Sequence, residues 1–254
     1  MKASDDPAAF YAAGYSLADR EESLKLGRWR ELGARTKAAH AVALCRPAPA
    51  SVVEIGCGEG ALLAELVRAW PDARFDGFEL SPPAIEIARS RGLERVGRLE
   101  AFDGAHVPAA DGAYELAVLS HVLEHVPDPL PLLREAARVA RRVLVEVPLE
   151  DNLSGRRPAH RAESERIGHL HQFNRTMVHG LIAAAGLEVA EELSDPLPYE
   201  HHAFFAASPA ARARAALKWA VRAAAHRVAP QGGEKAFTVH YTVVMAPSRH
   251  EVET

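Results

Sequence analysis

The chain has 254 residues and a formal net charge of −4, with 48% hydrophobic and 25% charged residues. Such a chain is long enough to bury a full core, and its composition is typical of an ordinary globular protein. A net charge this small gives no reason to expect nucleic acid or an anionic membrane as a partner. The N-terminus lacks a basic stretch followed by an apolar run, and no apolar stretch is long enough to cross a bilayer, so we expect a cytoplasmic protein without membrane insertion. The two cysteines, Cys45 and Cys57, are too few for a disulfide framework and fit a reducing compartment.

Strand and helix patterns alternate along most of the chain, after an N-terminal region of helical periodicity that ends at Pro47. That region predicts one or two helices with an apolar stripe formed by Leu24, Leu32, Ala39 and Val42. Short apolar segments predict strands at 51–56, 74–80, 98–103, 114–120, 142–149, 187–193 and 236–246. Helices are predicted between them, among others at 60–70, after Pro82, after Pro129, at 174–186 and at 209–228. This alternation predicts an α/β fold with a doubly wound, Rossmann-like sheet.

The same pattern gives a domain division. Residues 1–47 are expected to form a helical extension or cover, and residues 48–248 a single domain. Two insertions interrupt that domain, at about 150–173 and 197–235.

A glycine-rich loop follows the first predicted strand and precedes its helix, in the order Glu54-Ile55-Gly56-Cys57-Gly58-Glu59-Gly60. Glycines there permit a tight turn and close approach of a ligand to the backbone, and the helix N-terminus offers free N–H groups. Glu79 lies 21 residues beyond Gly58, at the tip of the second strand. A carboxylate at that position accepts the hydroxyl groups of an adenosine ribose in nucleotide-binding α/β folds.

Two cofactors compete for this loop. The spacing of Gly56, Gly58 and Ala61 also satisfies the dinucleotide-binding pattern, which would make the protein an NAD-dependent oxidoreductase. Glu54 and Glu59 favour the other cofactor, because carboxylates beside the loop repel a pyrophosphate and attract a cationic amino-acid group. S-Adenosylmethionine carries an ammonium and a sulfonium and no phosphate.

The motifs as a set resemble those of the class I S-adenosylmethionine-dependent methyltransferases. VVEIGCGEG is similar to the first motif of that family, GFELSPPAIEIAR to the second, and EAFDGAHVP to the segment after the third strand. LSHVLEHVPDP is similar to a phrase of the small-molecule branch that includes quinone-biosynthesis methyltransferases, and GHLHQFN to the segment before the last crossover helix. The resemblance covers about residues 50–195.

This resemblance implies a seven-stranded sheet whose last strand is antiparallel, and methyl transfer to an oxygen, nitrogen or carbon atom of a small-molecule acceptor. It places Asp103 near the adenine amino group. The cofactor-binding residues that follow from the loop and the resemblance are Glu54, Gly56, Cys57, Gly58, Glu79, Leu80, Asp103, Gly104, Ser120 and His121.

Catalysis needs a general base only when the accepting atom must lose a proton. Histidines are the candidates, and we select His121, His169 and His171. His121 is also a candidate wall of the cofactor pocket, whereas Glu124 and His125 are expected to hold the loop by hydrogen bonds. No third ligand stands at a diagnostic spacing from His121 and His125, so no metal is expected.

Several segments leave alternatives open. The arginine-rich insertion at 150–173 predicts either a lid over the acceptor or a solvated loop. An aromatic and histidine-rich segment predicts either an acceptor pocket or packing under the next helix, and it contains His201, His202, Phe204 and Phe205. The basic segment 210–228 predicts a solvated surface helix or, less in keeping with its alanine-rich side, a membrane-surface helix.

The N-terminal helix with Trp29 is expected to cover the cofactor or to form a homodimer contact, with Tyr11 and Tyr15 reaching the cofactor. A non-catalytic S-adenosylmethionine-binding module is the remaining alternative to an enzyme.

Overall fold

The computed structural model describes residues 9–10 and 20–247, so Tyr11 and Tyr15 lie outside the described residues. One sheet contains all the strands of the described residues. These are β1 (Ser51–Ile55), β2 (Arg74–Glu79), β3 (Val96–Ala101), β4 (Tyr114–Ser120), β5 (Ala140–Leu149), β6 (Leu187–Asp195) and β7 (Val239–Pro247). The helices are α1 (Arg20–Leu44), α2 (Ala61–Ala69), α3 (Pro82–Ser90), α4 (Pro129–Val139), α5 (Pro158–Arg166), α6 (Arg175–Ala184), α7 (Tyr199–Ala203), α8 (Pro209–Val228) and α9 (Pro230–Ala236).

The strand order is β3-β2-β1-β4-β5-β7-β6. Strands β1 to β5 run parallel, and β7 is antiparallel to both of its neighbours, β5 and β6. The predicted fold class, a Rossmann-like α/β sheet whose last strand is antiparallel, is therefore confirmed. The strand order reverses between β1 and β4, which is where open sheets of this kind form a ligand crevice.

Helices cover both faces of the sheet. Apolar side chains of α4 and α6, such as Leu133 and Ile182, pack on one face, and those of α1 and α2, such as Ala38 and Leu63, pack on the other. The central strands are buried on both faces, and their sequences are nearly continuous apolar segments, as is typical of parallel strands. Glu146, in the middle of β5, is a buried exception to this pattern.

Helix α1 buries a different side from the one that we predicted. Leu24 and Val42 are 59% and 36% exposed, and the buried side consists of Ala34, Ala38 and Ala41. The prediction was wrong because it assigned the core to the largest apolar residues. Small alanine side chains instead form the contact between α1 and the core around α2.

Helix α5 lies inside the 150–173 insertion, which the sequence analysis interpreted as a segment without regular structure. Its sequence has no apolar stripe, and Ser164 is its one buried residue, so periodicity gives no signal for it. Helix α8 has the bounds that the sequence predicts, and Leu217, Val221 and Val228 are exposed on it, which favours the surface-helix interpretation. Within the described residues, no helix is long and apolar enough to cross a membrane.

Candidate active site

A cleft of about 390 Å³ opens at the carboxyl ends of β1, β2 and β4, at the point where the strand order reverses. The glycine loop, the tip of β2, the segment after β3 and the turn after β4 form its walls. Its lining includes Gly56, Gly58, Glu79, Leu80, Phe102, Asp103, Gly104, Ala105, His121, Val122, His125 and Val126. Most of the predicted cofactor-binding residues therefore come together around one cavity, although they are up to 65 positions apart in sequence.

The glycine loop adopts backbone angles that other residues rarely accept. Gly56, Gly58 and Gly60 have φ values of +78°, +54° and +75°. A Cβ atom on Gly56 would lie 2.5 Å from Cγ2 of Val122, in the turn after β4. Glycine is thus required both for the bend of the loop and for its contact with the opposite wall of the cleft.

Glu79 connects the loop to the end of β2. The backbone N–H of Gly58 donates to its Oε2 at 2.9 Å, and the backbone N–H of Ser81 donates to its Oε1 at 2.9 Å. Burial raises the pKa of Glu79, and these hydrogen bonds oppose the shift. Each carboxylate oxygen keeps a lone pair for a second donor, such as a ligand hydroxyl.

Asp103 and Gly104 lie across the cleft, after β3. The Asp103 carboxylate accepts hydrogen bonds from the backbone N–H groups of Ala105 and His106 at 2.8 and 2.7 Å. These two bonds hold the pKa of Asp103 at about 2, so the group is ionised at neutral pH. The turn presents a fixed negative charge at the rim of the cavity.

Glu54 is buried beside the glycine loop, with 3% of the residue exposed. Its Oε2 has no hydrogen-bond partner among the described residues. Burial raises the pKa of Glu54 to about 8, although the positive charge of Lys37 lowers it. A buried acceptor without a donor is costly, so this oxygen is suited to a cationic donor supplied by a ligand.

Glu54 is not among the residues that line the cavity, and neither are three other residues that the prediction used. The Cys57 thiol packs in the core, where a Cβ atom on Gly77 would meet its Sγ at 2.9 Å. The Ser120 hydroxyl is buried and has no hydrogen-bond partner in the part of the chain that the structure describes. Glu59, one of the two acids used to favour a cationic cofactor, forms ion pairs with Arg30 and Arg91 at 2.8 and 3.0 Å. The charge argument from the sequence therefore depends on Glu54 alone.

His121 lies in the turn that follows β4 and lines the cleft. Its φ of +56° is a left-handed conformation that is uncommon for a side chain other than glycine. Its Nδ1 lies 3.0 Å from Oε1 of the fully buried Glu124, and its Nε2 lies 3.3 Å from Nδ1 of His240. Burial and the positive charge of Lys37 lower the pKa of His121, but the charge of Glu124 and the hydrogen bonds to Glu124 and Glu146 outweigh these effects and raise it.

His169 and His171, the other predicted bases, are not among the residues that line the cleft. His169 contacts Oε2 of Glu150 through its Nδ1 at 2.8 Å, and His171 donates from Nε2 to the backbone carbonyl of Val126 at 2.9 Å. The first contact lies within the 150–173 segment, and the second attaches that segment to the turn after β4. A catalytic role for either histidine stays a prediction.

The structure adds a set of buried and partly buried polar residues that were not predicted from the sequence. Glu146, His40, His240, Asp195 and Thr242 form one connected network next to His121. The available signal was the glutamate in the otherwise apolar segment RVLVEVPL. A charge in a buried strand needs partners, and those partners lie on α1, β6 and β7.

The aromatic segment at 201–205 packs against the N-terminal helix. The Trp29 ring lies 5.6 Å from that of His201, and 5.2 Å from those of both Phe204 and Phe205. These contacts favour the packing interpretation over an acceptor pocket.

Comparison with known proteins identifies the chain as similar to methyltransferases. A family model described as a methyltransferase domain matches residues 27–192. The chain is 40% identical over 77 residues to a trans-aconitate 2-methyltransferase of Rhodococcus jostii, covering 30% of each chain. It is 30% identical over 96 residues to an ajmaline N-methyltransferase of Rauvolfia serpentina, covering 36% of this chain and 33% of that one. The matches thus span about a third of the length of these relatives.

Among solved structures, the chain resembles a geranyl diphosphate C-methyltransferase from Streptomyces coelicolor, in complex with Mg²⁺, geranyl diphosphate and S-adenosyl-L-homocysteine. The TM-score is 0.61 at 14% identity, and the alignment covers 84% of this chain and 78% of that one. At this identity the likeness shows a shared fold.

Proposed function

Since the chain belongs to the class I S-adenosylmethionine-dependent methyltransferase family, we propose that it transfers the methyl group of S-adenosylmethionine to a small-molecule acceptor. The accepting atom is an oxygen, nitrogen or carbon. The names of the similar proteins support this class of acceptor, because trans-aconitate, ajmaline and geranyl diphosphate are all small molecules. The observation that carries the proposal is the buried carboxylate of Glu54 beside the glycine loop, with an oxygen that lacks a donor.

Each end of the cofactor has a matching group, which lines the cleft in the case of Glu79 and Asp103 and is buried beside the glycine loop in the case of Glu54. We assign the ammonium to Glu54, the ribose hydroxyls to Glu79 and the adenine amino group to Asp103. Leu80, Phe102 and Gly104 supply the apolar and backbone surface against which the adenosyl part packs. The unpaired Oε2 of Glu54 fits this cofactor and does not fit a dinucleotide, whose pyrophosphate carries negative charge.

Bound S-adenosylmethionine supplies a methyl group that its sulfonium has already activated. The protein then contributes orientation and exclusion of water. His121 lies on the wall of the cleft and is the candidate base for an acceptor that must lose a proton. The carboxylates of Glu124 and Glu146, on either side of its ring, favour the proton that it would gain.

Isothermal titration of the full chain with S-adenosylmethionine tests the cofactor assignment. We expect micromolar binding, and a loss on the order of 10²-fold in Glu79→Ala, because a hydrogen bond to a charged group contributes about 1.5–3 kcal/mol. Asp103→Ala is a second variant whose exposed position makes a folding defect unexpected. Glu86→Ala is the matched control, since Glu86 is an exposed glutamate on the neighbouring helix α3.

The outcomes separate the alternatives. Tighter binding of NAD than of S-adenosylmethionine would support the oxidoreductase and overturn the proposal. Binding of S-adenosylmethionine without formation of S-adenosylhomocysteine across a broad panel of phenols, amines and carboxylic acids would support a non-catalytic module. Formation of S-adenosylhomocysteine with one acceptor class would support the enzyme and identify the acceptor chemistry.

A further inference from the structure

Three potential metal ligands meet beside the cleft although they are far apart in sequence. Glu146 pairs with Ser120 of β4 on one side and with Thr242 of β7 on the other. This register brings His121, which directly follows β4, next to His240, which lies two residues before Thr242. No metal was expected from the sequence because no third ligand stands at a diagnostic spacing from His121 and His125, but the register between strands brings together residues that are far apart in sequence.

The separations of the three donor atoms match those of ligands on a common ion. His121 Nε2 lies 3.3 Å from His240 Nδ1 and 3.6 Å from Glu146 Oε1, and the latter two atoms are 2.9 Å apart. In a tetrahedral site with bonds of about 2.0–2.1 Å, ligand atoms are about 3.3 Å from one another. The three atoms are thus arranged as one face of such a tetrahedron, and they form one of the candidate ligand groups in the described residues.

The remaining atoms of these side chains are already oriented. His121 Nδ1 lies 3.0 Å from the Glu124 carboxylate, an arrangement that orients metal-bound histidines in many proteins. Glu146 Oε2 accepts from Thr242 Oγ1 at 2.9 Å and lies 3.0 Å from His40 Nδ1. The other oxygen, Oε1, faces His240 Nδ1 at 2.9 Å, and an ion bound to both atoms would replace that contact. An ion at this position would meet preoriented ligands.

We propose that His121, His240 and Glu146 form a binding site for a divalent transition-metal ion, with Zn²⁺ as the ion that this donor set and spacing fit best. The side chains of His121 and His240 are 21% and 17% exposed and that of Glu146 is 1% exposed, so the site is accessible from the imidazole side. Two histidines and one glutamate leave a position for water or another ligand. With the ion bound, His121 Nε2 is a ligand and not a general base.

Titration of the chelator-treated full chain with Co²⁺, followed by its visible absorption, tests the site directly. We expect one equivalent to bind with the intense bands of a low-coordinate ion, and Zn²⁺ to displace it. Glu146→Gln and His240→Gln should weaken binding by at least 100-fold. Glu124→Gln should weaken it by about 10- to 100-fold, because it removes the partner that orients His121. His202→Gln is the matched control, a half-buried histidine whose Nε2 contacts the Pro196 carbonyl.

A second variant separates ligation from a purely structural role. His240→Cys replaces one ligand by a thiolate, so Co²⁺ should bind with a new sulfur-to-metal charge-transfer band. Failure of the natural chain to bind Co²⁺ or Zn²⁺ would overturn the proposal, and so would absence of that band in a folded His240→Cys protein. Unchanged affinity in the variants of Glu146 and His240 would also overturn it. The ion would then bind elsewhere, for example at the cluster of Glu124, His125 and His169. These measurements need no S-adenosylmethionine, so their outcome is independent of the proposed function.

Discussion

Glu54 is expected to destabilise the ligand-free protein at neutral pH, so Glu54→Gln should raise the free energy of unfolding. Burial raises the pKa of Glu54 from 4.5 to about 8 in the folded chain. Between these values the folded state binds more protons than the unfolded state, and stability therefore falls as the pH rises. A neutral glutamine of the same shape does not carry this cost.

The size of the effect follows from the pKa difference. Each pH unit above 4.5 costs about 1.4 kcal/mol until the folded-state pKa is reached, which amounts to roughly 3 kcal/mol at pH 7. The gain in Glu54→Gln should therefore be small near pH 5 and roughly 3 kcal/mol at pH 7. The same variant should bind S-adenosylmethionine about 10- to 100-fold more weakly, because it loses a charged acceptor for the ammonium.

Urea unfolding followed by circular dichroism at pH 5 and pH 7 measures the first effect, and isothermal titration measures the second. Glu86→Gln is the control, since its exposed carboxylate pairs with Arg89 at the surface of α3 and its loss should change stability by less than about 1 kcal/mol. The reasoning is refuted if Glu54→Gln is no more stable than the natural chain at pH 7, or if its gain is the same at both pH values. If Glu54→Gln is more stable but binds S-adenosylmethionine as tightly as the natural chain, then Glu54 is a buried ionisable group that does not bind the ammonium.

Two further changes test the loop and the buried network. Gly56→Ala should lower the free energy of unfolding by at least about 1–2 kcal/mol and should impair cofactor binding. The reason is that the alanine Cβ would lie 2.5 Å from Val122, at a backbone φ of +78°. Urea unfolding measures the first effect, and isothermal titration measures the second. His40→Gln should destabilise the protein by roughly 3–5 kcal/mol at pH 6, because it removes the protonated imidazole that contacts both the buried Glu146 and Asp195. Burial lowers the pKa of His40, but its contacts with Asp195 and Glu146 raise it to about 9, so the stabilisation is complete below pH 6.5 and lost as the pH rises through 9. A difference between His40→Gln and the natural chain that does not shrink between pH 6 and pH 10 would contradict this account.

Local sequence patterns located most of the elements. Strand β4 and helix α8 have the predicted bounds, because their limits coincide with clear local signals. Asp128 and Asn174 accept hydrogen bonds from Leu130 and Met177 as N-caps, as their positions before α4 and α6 predict. Strand β7 begins at Val239, later than predicted, because the residues before Phe237 form the short helix α9.

The residues around the cofactor cleft could also be predicted from local sequence. The glycine loop and Glu79 each sit at the end of a strand, and parallel strands bring their carboxyl ends together at one edge of the sheet. The prediction therefore needed only the strand positions. It could not foresee side-chain direction, since the Cys57 thiol packs into the core and Glu59 pairs with two arginines. A role of Cys57 in cofactor binding stays a prediction.

The sequence by itself determined the fold class and the residues around the glycine loop, because both depend on short-range order: period, turn residues and strand ends. Tertiary structure alone decided the partners of Glu146. His121, His40 and His240 reach that carboxylate from a turn, a helix and the antiparallel last strand, over separations of 25, 106 and 94 positions. A local sequence pattern does not contain information about such long-range contacts. They form because β5 pairs with β4 and β7, and because α1 packs on the sheet. The glycine loop predicts a cofactor cleft from local sequence, whereas the cluster of Glu146 and its histidines beside that cleft forms only in the folded sheet.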